Sequence, residues 1–198
     1  MKTTQYFAMI LLLVLSNLWL YASNTESNRT FDFDFGAKVG YMAPSEKAIS
    51  ETYGGGLLFG ADAIIWTQSG LGGGLSIERL GASKDFGDLP DAESIISIVP
   101  ITISGMFRIK TPTTPVEPYF GLGGGIYFVK EKVKYTSQDL SFILTYSYNA
   151  GGLHGLAGIK YNNIIVELKY TRTYVTSEDF VGTSANVGGI NILAGIRF

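Results

Sequence analysis

From residue 31 onward the chain alternates. Phe31, Phe33, Phe35, Ala37, Val39 and Tyr41 interleave with Asp32, Asp34, Gly36, Lys38 and Gly40. A helix would turn Asp32 and Asp34 to different faces, whereas a strand shows both on one, so this period of two predicts a strand over 31–42. The same pattern returns seven times. Strand two, 52–65, sets Tyr53, Leu57, Phe59, Ala61, Ala63 and Ile65 against Asp62, and strand three, 71–80, sets Leu71, Leu75 and Ile77 against Ser76 and Glu78. In strand four, 94–110, Val99, Ile101, Ile103, Phe107 and Ile109 oppose Thr102, Ser104, Met106 and Arg108. Pro100 lacks a ladder donor and is expected near the rim. Strand five is PYFGLGGGIYFV, 118–129. Strand six, 145–161, sets Leu153, Ala157 and Ile159 against His154, Gly158 and Lys160, with room for a bulge in its first half. Strand seven, 164–174, puts Ile164, Val166, Leu168 and Tyr170 opposite Glu167, Lys169 and Thr171. In strand eight, 185–198, Ile190, Ile192, Ala194, Ile196 and Phe198 share one parity, and Asn191, Leu193, Gly195 and Arg197 the other.

Eight strands is an even number, and the connections alternate in length. Segments 43–51, 82–93, 130–141 and 176–184 read as long loops, 66–70 and 161–163 as short turns, and 111–117 as intermediate. Bilayer-spanning barrels have short turns on the periplasmic side, longer loops outside and strands of about 9–11 residues. The fold class this predicts is all-β: an eight-stranded antiparallel up-and-down transmembrane β-barrel over 24–198. Both termini fall on the periplasmic side and the four long loops on the extracellular side.

Alternation alone does not separate a membrane barrel from a soluble one, and a secreted lipocalin-like barrel or β-sandwich is the alternative. Charge placement favours the membrane. Asp32, Asp34, Lys38, Asp62, Glu78, Arg108, Lys160, Glu167, Lys169 and Arg197 fall on one parity, while the other carries almost none until the loop ends, as at Arg79 and Arg172. Aromatics gather near predicted strand ends, where interfacial girdles belong. Trp66, Phe107, Tyr161 and Phe198 are expected at one rim, and Tyr41, Tyr53, Phe128, Tyr170 and Tyr174 at the other. Composition agrees, with 25 Gly, 12 Tyr and 12 Phe. Residues 1–23 supply Lys2 and the apolar run 8–15, the layout of a cleavable signal peptide. An uncleaved anchor is the alternative. Removing the leader leaves 14 basic against 17 acidic residues, which gives no basic footprint for nucleic acid.

An eight-stranded barrel has an interior that side chains fill. The same-parity charges are therefore expected to pair as a lumen network of Asp34, Lys38, Asp62, Glu78, Arg108, Lys160, Glu167, Lys169 and Arg197 together with Asp32, because unpaired buried charge is costly. A selectivity-filter role is the functional alternative.

Catalytic and cofactor chemistry finds little support. No cysteine is present, which excludes disulfides and thiol catalysis. The glycine triplets 54–56, 72–74 and 123–125 lack the GxGxxG and GxxxxGK patterns, so they are expected to relieve crowding in the lumen. His154 is the only histidine, and no Ser or Thr nucleophile has an obvious His base beside it. Asp85, Asp88, Asp91 and Glu93 form a run able to hold a hard cation, with a solvated loop as the plain alternative. No catalytic, cofactor or metal residue is assigned.

FGAKVGYMAP in strand one, EPYFGLGGGIYF in strand five and the terminal GINILAGIRF together resemble the small eight-stranded outer-membrane barrels, of the OmpA transmembrane-domain, OmpX and OmpW kind. In that resemblance Ile192, Ile196 and Phe198 match the C-terminal signal that directs barrel assembly. Position 156 is Leu, where the membrane-embedded lipid A deacylases would have a Ser two residues after the His. The resemblance implies a monomer in the bacterial outer membrane, without cofactor. Its expected partners are membrane lipid and lipopolysaccharide, the barrel-assembly machinery and periplasmic chaperones. The implied role is non-enzymatic, either structural or a narrow porin-like conduit. A surface-binding module acting through the loops is the first rival, and a lipid-modifying enzyme the second.

Overall fold

The computed structural model describes residues 31–85, 92–111, 113–137, 140–174 and 186–198. Its strands are β1 (Phe31–Pro44), β2 (Gly56–Thr67), β3 (Leu71–Asp85), β4 (Ala92–Arg108), β5 (Val116–Ser137), β6 (Leu140–Tyr161), β7 (Ile164–Tyr174) and β8 (Gly189–Arg197). They follow one another in order round a closed antiparallel barrel, in which β1 pairs with both β2 and β8. The main chain of Phe198 exchanges two hydrogen bonds with Phe35, at 2.8 and 2.9 Å, and so extends the closing seam past β8.

The register fixes the shape. Cross-strand partners lead from Asp32 through Trp66, Gly72, Met106, Gly121, Leu156, Lys169 and Asn191 to Met42, ten residues further along β1. With about 3.3 Å per residue and about 4.8 Å between strands, that shear tilts eight strands by about 40° from the barrel axis.

Alternation sorts the side chains. Asp34, Lys38 and Met42 of β1 are buried in the lumen, while Val39 and Tyr41 point out. On the outer face Leu122 is 75% exposed and Ile103 68% exposed. An apolar surface of this extent, continued by Leu75, Leu153, Leu168 and Ile192, belongs against lipid rather than water.

The two ends differ. At the turn end, Gly70 (φ 88°) closes the β2–β3 connection and Asn162 (φ 52°) the β6–β7 connection, both in the left-handed region that tight turns use. At the hairpin end the strands run past the barrel. β5 and β6 are 22 residues each and stay in one register along their whole length, whereas β7 has 11 and β8 has 9. A tilted strand of 11 residues spans about 27 Å of height and one of 22 about twice that, against a hydrocarbon core of about 30 Å.

Several expectations change accordingly. The described residues of the interval 130–141 are strand rather than loop: β5 continues to Ser137 and β6 starts at Leu140, not at 145, with no bulge in its first half. In the interval 82–93 the described residues are strand, since β3 reaches Asp85 and β4 begins at Ala92, and 86–91 lie outside the described residues. The interval 43–51 is the end of β1 followed by a short helix, α1 (Lys47–Tyr53), so β2 begins at Gly56 rather than at 52. Strand eight starts at Gly189, not at 185. Pro100 sits in mid-strand, not at the rim. It points into the lumen and interrupts the β3–β4 ladder between Ile77↔Ile101 and Leu80↔Ile98 without shifting the register. The leader 1–23 and the loop 176–184 lie outside the described residues.

Candidate functional site

Every residue expected in the charge network points into the lumen, where the charges form two separate islands. Nearest the turn end, Arg108 pairs with Asp32, Asp34 (3.8 Å) and Glu117 (3.7 Å), Lys110 with Asp32 (2.7 Å), and Lys160 with Asp34 (3.2 Å). Trp66 donates its indole N–H to Asp34 (3.0 Å) and lies under the Arg108 guanidinium. This island holds three acids and three bases.

The second island is at mid-barrel and has the same balance. Lys38 meets Asp62 (3.4 Å), Glu78 (3.1 Å) and Glu167 (3.2 Å). Lys169 bonds both oxygens of Glu78 (2.9 and 3.0 Å), and Arg197 bonds Asp62 (2.8 Å) while stacking over Tyr119. Tyr119 donates its hydroxyl to Glu167 at 3.1 Å. Among the described residues no ion pair joins the two islands. They are separated by a small apolar cluster of Ile64, Trp66, Met106 and Tyr119.

Glycines make room for these side chains. Gly60 lies across from both Lys38 and Glu78, and a Cβ there would stand 2.8 Å from Glu78 Cγ. Gly72, Gly158 and Gly123 lie directly across from Trp66, Tyr119 and His154, and each would collide with its partner's ring if it carried a Cβ. Bulky lumen residues are thus seated on glycines of the neighbouring strand, the close approach for which a strand glycine is suited.

Toward the hairpin end the filling becomes apolar. Leu193, Gly40, Leu58, Leu80, Ile98 and Val129 are successive cross-strand partners on the lumen side. The five bulky members of that row join Met42, Ala82, Ile96, Tyr127, Ala150 and Val187 in one buried cluster. Helix α1 closes over it, contributing Tyr53 and Ile49. Tyr53 donates its hydroxyl to Glu131 of β5, and burial followed by that bond pushes the phenol above its usual pKa range. Asn186 ties this end shut by accepting from the Thr173 and Gly188 N–H groups (2.8 and 3.0 Å) and donating to Ser45 Oγ (3.0 Å). A cavity of about 20 Å³ beside Lys38, Ser76, Thr102 and Lys169 is room for about one water.

No family model and no curated protein matches the sequence. Among solved structures the chain is similar to Neisserial surface protein A (NspA), with 20% identity over 85% of this chain and 98% of that one, at TM-score 0.53. It is also similar to a major outer membrane protein from Thermus thermophilus, with 14% identity over 84% of this chain and 100% of that one, at TM-score 0.54. The chain has the fold of the small eight-stranded outer-membrane β-barrels.

Within this barrel, Ile192, Ile196 and Phe198 all face outward and are exposed. Two girdle expectations fail. Trp66 belongs to the lumen and is 1% exposed, and Tyr53 belongs to α1 under the hairpin-end closure. The side chain of Tyr174 lies outside the described residues. Three features escape sequence reasoning. Lys110 and Glu117 complete the turn-end island from positions just inside one predicted strand end and just beyond another. The apolar cluster occupies lumen parity, where polar residues are expected. Finally, Ser104 Oγ lies 2.8 Å from His154 Nε2, so a hydroxyl does have a histidine beside it. Their sequence separation of 50 hides this, and register alone brings them together through Gly123, the partner of both. Among the described residues no group of three or more metal ligands forms, and Asp88 and Asp91 lie outside them.

Proposed function

We propose that the chain is an integral, non-enzymatic protein of the bacterial outer membrane, a sealed structural barrel that anchors a tall β-sheet on the outer side. The leader 1–23 is removed on export, the turn end and both termini face the periplasm, and assembly uses the outward residues Ile192, Ile196 and Phe198 with periplasmic chaperones and the barrel-assembly machinery. The observation that carries the structural over the conduit reading is the filling of the lumen along its length, with two charge-balanced islands below and an apolar cluster under α1 above. An ion following the axis would lose its hydration against Leu58, Leu80 and Ile98, which offer no polar group in return.

Ser104 and His154 do not make a catalytic pair in this reading. Among the described residues His154 Nδ1 has no hydrogen-bond partner to orient the ring, and both residues project into the lumen. The surface-binding reading has its own support in β5 and β6, which stand well above a bilayer that β7 and β8 only just span. The test is solute flux into proteoliposomes holding the refolded chain. Swelling no faster than in protein-free vesicles is expected, and swelling in arabinose or glycine at porin-like rates would overturn the sealed reading.

A further inference from the structure

Glu131 of β5 is the exception among the inward carboxylates of the strands. Asp32, Asp34, Asp62, Glu78, Glu117 and Glu167 each pair with a lysine or an arginine. Among the described residues Glu131 meets no cation and accepts instead from the Tyr53 hydroxyl. The lysines nearest in sequence do not serve it. Lys130, Lys132 and Lys134 stand on the opposite parity, with Ile126 and Phe128, and so point away on the far side of the sheet. A half-buried carboxylate without a counter-ion is costly, and this one is open to a cation from outside.

The surroundings say what kind of cation fits. Glu131 stands one inward position above Val129, over the apolar cluster and at the hairpin-end mouth of the barrel. The register puts Tyr146 directly across from it on β6, with Tyr148 one inward position lower. Opposite residues have Cβ atoms about 4.5–5.5 Å apart and diagonal ones about 7–8 Å, both within reach of an aromatic side chain. Tyr146 is 51% exposed, so its ring beside the carboxylate is open to solvent, while Tyr148 packs down onto the apolar cluster. The partner of Glu131 on β4 is the buried Ile96, and one inward position higher Val133 pairs with Leu144. The site offers one charge, two tyrosine rings and aliphatic walls.

That set suits neither a metal ion nor a primary ammonium. A hard cation takes about six oxygen ligands, and among the described residues no three metal-ligating side chains gather. A primary ammonium brings three N–H donors to a carboxylate that already accepts from Tyr53. A quaternary ammonium ion has no donor to satisfy and is drawn to ring faces. We propose that Glu131, Tyr146 and Tyr148 form a binding site for small quaternary ammonium ions, with Glu131 supplying the charge and the tyrosines the ring faces. The site lies above the apolar cluster, so it stands whether or not the lumen below conducts.

The test titrates choline into the full chain refolded in maltoside micelles, which carry no ammonium headgroup, and reads binding by saturation-transfer difference NMR. Dimethylbutanol, the uncharged isostere of choline, and ethanolamine, the primary ammonium, are titrated alongside. The parent should bind choline. Glu131→Gln, which keeps an acceptor for Tyr53, should weaken binding about fivefold. Tyr146→Leu removes the open ring from outside the closure and should weaken it about two- to fivefold. Glu93→Gln, an acid lost from the outward face of β4 at the same end, should bind choline as the parent does. Heat-modifiable gel mobility confirms the fold of each variant. Absence of choline binding by the folded parent overturns the proposal, as does unchanged binding by either folded site variant. So does dimethylbutanol binding as tightly as choline, which would mark an apolar pocket, or ethanolamine doing so, which would mark a plain carboxylate contact.

Discussion

The lower and upper halves of the lumen face the same problem, a narrow space that must be filled, and answer it with opposite chemistry. In the lower half Lys38 is held among three carboxylates and each island has as many bases as acids. In the upper half Leu58, Leu80 and Ile98 meet across adjacent strands with no charge among them. The charged half is specified pair by pair, since each ion needs its partner at the right register, and a missing partner leaves another charge buried. The apolar half is non-directional, and its stability follows the volume filled. A charged lumen alone could hydrate and conduct. In the sealed reading, the apolar cluster above it is what closes the polar core.

The comparison can be broken first on the charged side. Lys38→Met leaves Asp62, Glu78 and Glu167 converging without their shared cation, and should cost about 3–5 kcal/mol in reversible urea unfolding in vesicles. On the apolar side, Leu58→Ala should cost about 2–4 kcal/mol by leaving a cavity, without altering the islands. If Lys38→Met were the milder of the two, the pairing account of the lower half would fail. The wall sharpens the contrast between inside and outside. Ile192→Lys places a charge on the lipid side at mid-height and should cost about 2–4 kcal/mol. Asn191→Asp enters the lumen directly across from Lys169, and should cost less. Equal losses would reject the facing assignment. The smallest effect is at the closure. Tyr53→Phe loses one hydrogen bond to Glu131 and should cost about 1–2 kcal/mol, read by the same unfolding curves.

Legibility in the sequence follows the environment of each segment. Inside the bilayer one face meets lipid and the other the lumen, so alternation is strict, and β7 spans 164–174 as its pattern implies. Above the bilayer both faces of β5 and β6 approach water, so Lys130, Lys132 and Lys134 read as loop although they continue a paired strand. Helix α1 has seven residues, fewer than two turns, too few to reveal a period of 3.6. Trp66 reads as interfacial because it sits near a strand end, although its parity with Asp62 and Ile64 points inward. The charged residues of the lumen are legible because a polar residue on one parity stands out. Leu58, Leu80 and Ile98 are not, because an apolar residue on the lumen parity looks the same as one in a strand apolar on both faces. The contact between Ser104 and His154 depends on register across β4, β5 and β6, which no local pattern encodes.

The most direct test of the closed lumen is single-channel recording of the refolded barrel in planar bilayers, with heat-modifiable mobility confirming the fold. The parent chain should be silent. A variant carrying Leu58→Ser and Leu80→Ser should open a hydrated path over the ionic islands and show discrete steps. Reproducible conductance from the folded parent would contradict the account, because it would mean that ions cross the apolar cluster under α1 as it stands.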